Sequence, residues 1–281
     1  MGSTTRRIGR LVVYLAWTVA LMPVQAMGLA LRRRWVARLP CFYHRNCCRI
    51  FGLRVRRIGQ PTAIRPALFV VNHISYADIA VLGSLIPGSF VAKTEVARWP
   101  LFGWLAKLQR SVFVDRQVRS TAVQRDAIAK RLAAREALIL FPEGTSGDGN
   151  RLLPFKTALF AVADRGPGDI VTVQPVSIAY TRLDGLPIGR RYRPLVAWYG
   201  AMAMAPHLWT MLGFAAIEVV VEFHGATSAA ECGSRKALAR CCHERIAAGL
   251  AAALSGRRRP DLPREKRRAP AGGDVAAPVI G

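Results

Sequence analysis

The sequence predicts an α/β fold: a largely buried mixed sheet flanked by helices, entered through an N-terminal helical segment that anchors to a membrane. Three observations predict it. Short β-rich apolar runs alternate with helix-forming stretches through the middle of the chain. A charge-free run from residue 11 to residue 31 has about the length that a membrane-spanning helix requires, roughly 20 residues. A formal charge of +24 in a chain of 281 residues that is 52% apolar describes a folded protein facing an anionic surface, because a disordered polycation would be short of apolar residues.

The N-terminal run comes first. Arg6, Arg7 and Arg10 precede it, and Arg32, Arg33 and Arg34 follow it. Pro23 and Gln25 interrupt and polarise its middle, so it either spans the bilayer or kinks and re-enters one leaflet. A cleavable signal peptide shares this outline, but three arginines stand where a small-residue cleavage site belongs. If the run spans, more arginines lie just after it than before it, and the positive-inside rule puts the main domain in the cytoplasm. Asp78 is the first acidic residue, and thirteen arginines precede it. A polybasic stretch beside an apolar segment reads as attraction to anionic membrane lipids, about 1 kcal/mol per charge near the surface. Nucleic acid is not the expected partner, since no zinc-finger spacing, RNP-like strand or basic heptad region is present.

The expected strands are residues 67–71, 89–92, 111–114, 137–141, 170–178 and 218–223, with helices over 79–85, 95–108, 118–135 and 155–164. A second uncharged run, 194–217, reads as an interfacial helix or part of an acyl-binding wall, or equally as an ordinary buried helix. These elements divide the chain into a basic membrane-anchoring segment (1–60), a catalytic domain (61–254) and a basic tail (255–281) expected to be disordered. The six cysteines lack zinc-site spacing and include two adjacent pairs, so free thiols are expected and no metal.

Two short stretches carry the chemistry. Asn72-His73-Ile74-Ser75-Tyr76-Ala77-Asp78 and Phe141-Pro142-Glu143-Gly144-Thr145-Ser146 each follow a strand-like run, where loops carry reactive groups. Five residues on a helix rotate about 140°, so His73 and Asp78 would not share a helical face. They meet if His73 lies on the turn leaving the 67–71 strand and Asp78 lies in the first turn of the next helix. The carboxylate then accepts the Nδ1 proton and leaves Nε2 as a general base, able to take the proton of an alcohol attacking a carbonyl. No Gly-x-Ser-x-Gly elbow, P-loop or dinucleotide fingerprint is present, so the usual hydrolase, ATPase and dinucleotide readings lose their support. A His-x4-Asp pair alone also occurs as a structural histidine near a helix start, and Arg116 alone would read as a surface arginine.

Four blocks in order make the pattern specific. Asn-His-x4-Asp, then Val112-Phe113-Val114-Asp115-Arg116, then Phe-Pro-Glu-Gly-Thr, then Gln174-Pro175-Val176 resemble the glycerolipid acyltransferase family, most closely its bacterial 1-acylglycerol-3-phosphate acyltransferases. The resemblance implies a membrane-bound enzyme that moves an acyl group from acyl-CoA or acyl-carrier protein to the free hydroxyl of a lysolipid, with no cofactor. It implies His73 as the base and Asp78 as its orienting acid. Arg116 and the Glu143-Gly144-Thr145 block would bind the acceptor's phosphate, Pro175 would shape the acyl side of the cleft, and Lys93 would add charge to the phosphate pocket. It also implies the cytoplasmic face of a bacterial inner membrane. One departure stands out: many members carry an arginine directly after Glu-Gly-Thr, where this chain has Ser146. Arg151 or Lys156 could substitute. Otherwise the head group is not a phosphomonoester, as in the related enzymes that acylate lyso-ornithine lipid. Lysophosphatidic acid is the expected acceptor and lyso-ornithine lipid the alternative.

Overall fold

A computed structural model describes residues 3–114, 121–163 and 170–257. The described strands form one mixed sheet in the order β1 (Leu53–Ile58), β8 (Ile217–Phe223), β6 (Thr172–Leu183), β2 (Ala67–Val71), β5 (Ala137–Leu140), β3 (Ser89–Lys93) and β4 (Val112–Val114), with the short β7 (Leu186–Pro187) folded back on β6. From β6 to β4 every neighbour is parallel, and β6 meets β8 antiparallel. A parallel strand covered on both faces has to be apolar along its whole length. Strand β2 is the clearest case: Leu68, Phe69, Val70 and Val71 are all 0% exposed. Phe69 and Val71 face a core built with α2 (Leu39–Phe51) and α3 (Ala77–Leu85), while Leu68 and Val70 face one built with α5 (Thr121–Ala133) and α8 (Arg235–Leu254). Each such side chain contributes about 1.5–3 kcal/mol of burial.

Local rules explain where the helices start and stop. Helix α2 has Pro40 in its first turn and ends at Gly52, whose φ of 71° is left-handed. The Ser234 hydroxyl caps α8 by accepting from the Ala237 N–H. The expected 95–108 helix is instead a 3₁₀ turn (Thr94–Arg98) followed by α4 (Phe102–Leu108); Pro100 lies between them and disfavours a helical residue before it. The expected 155–164 helix is the 3₁₀ segment Thr157–Ala163. The sheet also begins before the expected boundary at residue 61, because β1 pairs in parallel with β8. Residues 258–281, most of the expected tail, lie outside the described residues.

Helix α1 (Thr4–Ala30) is a single helix that runs through Pro23, and by length and composition it is apolar enough to cross a membrane. One face looks inward: Tyr14, Thr18, Gln25 and Gly28 are buried at helical spacing. Gln25 is explained by its contacts, since its amide donates to the carbonyls of Val36 and Leu108, both at 3.1 Å. The opposite face exposes Ile8, Val12, Leu15 and Val19. The first arginines are tied to protein as well. Arg6 donates to the Gly213 carbonyl at 3.1 Å, and Arg10 donates to the carbonyls of Leu212 and Ala215 at 3.1 and 3.0 Å, beyond the end of α6 (Met204–Met211). These carbonyls follow the last helical turn, where a cation is favoured.

Candidate active site

Strands β2, β5 and β3 run parallel, so their carboxyl ends open on one edge of the sheet, where open α/β sheets bind ligands. His73 leaves β2, Phe141 to Ser146 leave β5, and Lys93 ends β3. The turn after β2 is pinned by Asn72, whose side-chain amide donates to the Ile178 carbonyl at 3.0 Å and accepts from the Ile178 N–H at 2.8 Å. Helix α3 then starts at once and brings Asp78 into its first turn.

His73 Nδ1 lies 2.8 Å from Asp78 Oδ2. A carboxylate only accepts, so the proton of the neutral ring sits on Nδ1 and Nε2 is left with a lone pair. Asp78 is fully buried, and its oxygens are saturated: Oδ2 also accepts from the N–H groups of Ile74 (2.7 Å) and Ser75 (3.0 Å), and Oδ1 accepts from the Tyr180 hydroxyl at 2.7 Å. The ring of His73 stacks on Phe141 with centroids 4.1 Å apart, and Phe141 stacks in turn on Phe90. Four donors fix the acid and a stacked ring fixes the base, so the imidazole is held in one orientation. Its side chain is 20% exposed, which leaves it open to a substrate.

Glu143 does something other than face a ligand. Its Oε1 accepts from the His73 N–H at 2.7 Å and its Oε2 from the Leu153 N–H at 2.9 Å, so the carboxylate straps the loop after β5 to the turn after β2. The Gly147 N–H donates to the His73 carbonyl at 2.9 Å and completes the strap. Burial lifts the Glu143 carboxyl to about 7, outweighing the two N–H donors that favour its charged form; the nearby Asp78 pushes in the same direction as burial.

A cavity of about 440 Å³ runs from His73 into the molecule. It is lined by His73, Lys93, Gly144, Thr145 and Ser146 from the strand ends and by apolar side chains from α1, α2, α4 and α6, among them Leu21, Phe51, Leu105 and Met211. The second uncharged run therefore supplies cavity wall through Trp198, Met204, Leu208 and Met211. Of the residues expected at the site, the fold brings together His73, Asp78, Lys93, Gly144 and Thr145. Glu143 stands directly behind them. Pro175 lies within β6, in register with Val70 and away from the cavity lining; its carbonyl accepts from the His224 N–H. Arg116 lies outside the described residues. Sequence reasoning missed Tyr180 as the second partner of Asp78, although a hydroxyl in the fully buried stretch of β6 requires one.

Fold and site together define an acyl-transfer enzyme, and comparison with known proteins agrees. The sequence matches the Acyltransferase family over residues 53–179. It is 46% identical to the lyso-ornithine lipid O-acyltransferase of Brucella abortus, over 88% of this chain and 94% of that one, and 43% identical to that of Rhizobium meliloti, over 89% and 92%. It is 31% identical to the 1-acyl-sn-glycerol-3-phosphate acyltransferase of Neisseria gonorrhoeae, over 69% and 74%. The crystal structure of the 1-acyl-sn-glycerophosphate acyltransferase of Thermotoga maritima shares the fold, with a TM-score of 0.61, 22% identity, and 88% and 96% of the two chains covered. The chain belongs to the glycerolipid acyltransferase family.

Proposed function

We propose that this protein is a lyso-ornithine lipid O-acyltransferase, which esterifies the free hydroxyl of a lyso-ornithine lipid with the acyl group of acyl-CoA or acyl-carrier protein. The observation that carries the acceptor is the near full-length likeness at 46% and 43% to two proteins of that name, against 31% over a shorter stretch for a phosphate-acceptor enzyme. Ser146, where many members carry arginine, supports the same choice. The reading with 1-acylglycerol-3-phosphate as acceptor rests on the Neisseria relative and on Lys93 in the cavity lining.

In this reading His73 Nε2 takes the proton of the lipid hydroxyl as the oxygen attacks the thioester carbonyl carbon. Asp78 stabilises the imidazolium that forms and keeps the ring in place. The tetrahedral intermediate collapses with loss of the thiolate, which receives the proton from His73, giving ester and free thiol. The acyl chain lies in the apolar cavity. The thioester is a co-substrate, and the steps so described ask for no resident cofactor. Glu143, Gly144 and Thr145 shape the acceptor side, Glu143 by strapping the two loops and the other two as cavity wall; Lys93, in the cavity lining, and Arg116, by the family resemblance, are the cations assigned to the acceptor. The exposed stripe of α1 rests in the lipid of the inner membrane, with the catalytic domain on the cytoplasmic face and anionic lipids around it. Because the inward face of α1 forms part of the cavity, an α1 that lies along one leaflet fits this structure better than one that crosses alone.

The test is competition between acceptors. Membranes containing the protein and a labelled acyl thioester are expected to convert lyso-ornithine lipid to ornithine lipid with at least about tenfold higher kcat/KM than lysophosphatidic acid. Preference for lysophosphatidic acid would reject the acceptor while leaving the acyl transfer intact.

A further inference from the structure

The loop that leaves the cavity wall carries an acid, and a neighbouring 3₁₀ turn brings an arginine to the same loop; the acyl-transfer step uses neither charge. Gly144, Thr145 and Ser146 line the cavity, and Gly147 is bonded to the His73 carbonyl. Gly149 follows with φ 72°, and a Cβ there would stand 3.1 Å from the Ile74 side chain. Residues 147–149 therefore lie directly over His73 and Ile74. Asp148 sits in the middle of this stretch. Its carboxylate accepts from the Asn150 N–H at 2.9 Å and from the Asn150 side-chain amide at 2.8 Å. Desolvation works against its charge, but these bonds, the Arg151 N–H and the Arg151 guanidinium outweigh it and hold the Asp148 carboxyl below its ordinary range. Arg193 approaches from the 3₁₀ turn Arg190–Leu195 and donates one terminal nitrogen to the Asn150 side-chain oxygen, close enough for Asp148 to act on its charge. From Arg193 the chain runs on to Trp198, whose N–H bonds the Ile74 carbonyl at 2.9 Å and whose side chain lines the cavity. Asp148 and Arg193 do not themselves line the cavity; Asp148 stands two residues after Ser146 and Arg193 five residues before Trp198, both of which do.

Asp148 and Arg193 meet through the Asn150 side chain, which bonds both, and both are partly exposed, so their mutual attraction contributes little stability. The signs do matter for a ligand. A carboxylate two residues after Ser146 opposes a phosphomonoester, while an acid and an arginine side by side match a head group that bears both an ammonium and a carboxylate. Ornithine attached to its acyl chain through the α-nitrogen keeps both groups. We propose that Asp148 and Arg193 form the acceptor head-group subsite, with Asp148 taking the side-chain ammonium and Arg193 the carboxylate of a zwitterionic amino-acid lipid. This rests on the lyso-ornithine lipid reading given above. Charge-assisted bonds of this kind are short and selective, and the second terminal nitrogen of Arg193 makes no hydrogen bond among the described residues.

The experiment measures kcat/KM in membranes for three acceptors: lyso-ornithine lipid, its side-chain N-acetyl derivative and its carboxyl methyl ester. The wild-type protein is expected to favour the unmodified lipid over each derivative by about tenfold or more. Asp148→Asn keeps one acceptor oxygen for Asn150 in place of two and is expected to erase the preference over the N-acetyl derivative only. Arg193→Gln is expected to erase the preference over the methyl ester only. Equal losses for all three acceptors, or preferences unchanged in both variants, would overturn the subsite. A wild-type protein that acylates lysophosphatidic acid but not lyso-ornithine lipid would fail the acceptor reading itself, which is a different result.

Discussion

At the scale of single residues the account depends on how one carboxylate is held. Asp78 receives four hydrogen bonds, and only one of them comes from the base it orients. Asp78→Asn places its N–H₂ either at the Oδ2 position, against the imidazole and two backbone N–H groups, or at the Oδ1 position, where the Tyr180 hydroxyl has to accept; in both cases the negative charge that stabilises the imidazolium is gone. We expect acyl transfer to fall by about 10⁴-fold, the scale seen when the orienting acid of a hydrolase triad is made an amide. Tyr180→Phe removes a single donor and leaves Oδ1 unpaired; kcat is expected to drop by about tenfold with KM little changed, and a shift in KM alone would assign Tyr180 to substrate binding. Glu143 offers a pH signature. Its folded carboxyl is lifted from 4.5 to about 7, so the folded state holds this proton more tightly than the unfolded chain. The corresponding stability is fully present below pH 4.5 and is lost as pH rises through about 7. Thermal melts between those limits should show this decline in the wild type and lack it in Glu143→Gln, which should also cost about 1–3 kcal/mol because one backbone N–H faces an amide nitrogen. Parallel pH profiles for the two proteins would remove the assignment.

Among the elements, the close approach of α2 and α3 sets the depth of the site. Gly83 of α3 lies against the ring of His44 on α2, and a Cβ there would collide with it. Gly83→Ala is expected to cost about 1–3 kcal/mol by overpacking, read as a lowered thermal midpoint, and an unchanged midpoint would show that the helices have slack. Legibility in the sequence differed element by element. Strand β2 announces itself, because five apolar residues end at Asn72-His73. The His-x4-Asp spacing likewise requires a turn followed by a helix start, which is what the chain forms. Strand β1 hides: Arg54, Arg56 and Arg57 give it the look of a basic linker, and only its pairing with β8 makes it a strand. Helix α8 hides behind a mixed charge pattern, although Ser234 is an adequate cap. The family resemblance implies Glu143 at the acceptor's phosphate; in three dimensions two backbone N–H groups bond its carboxylate. Pro175 was expected at the cleft, but long-range pairing of β6 with β2 and β8 holds it inside the sheet.

For the whole molecule, membrane attachment and chain recognition are one arrangement. Helix α1 exposes apolar residues on one face and lines the cavity with the other, so an acyl chain held in that cavity would lie against a helix apolar enough to enter a membrane. Filling that wall should shorten the space. With Leu21→Trp, the preferred acyl donor is expected to move to shorter chains, measured as kcat/KM across a thioester series; an unmoved optimum would place the chain elsewhere. The extreme positive charge is also partly consumed inside the molecule, as Arg6 and Arg10 show at the end of α6. The central claim is that the imidazole of His73 removes the proton of the lipid hydroxyl. The most direct measurement is transfer of a labelled acyl group from thioester to lysolipid by membranes holding equal amounts of wild-type protein and His73→Ala. The account predicts a loss of about 10³-fold or more with the protein still folded in the membrane. Transfer within about tenfold of wild type would contradict it.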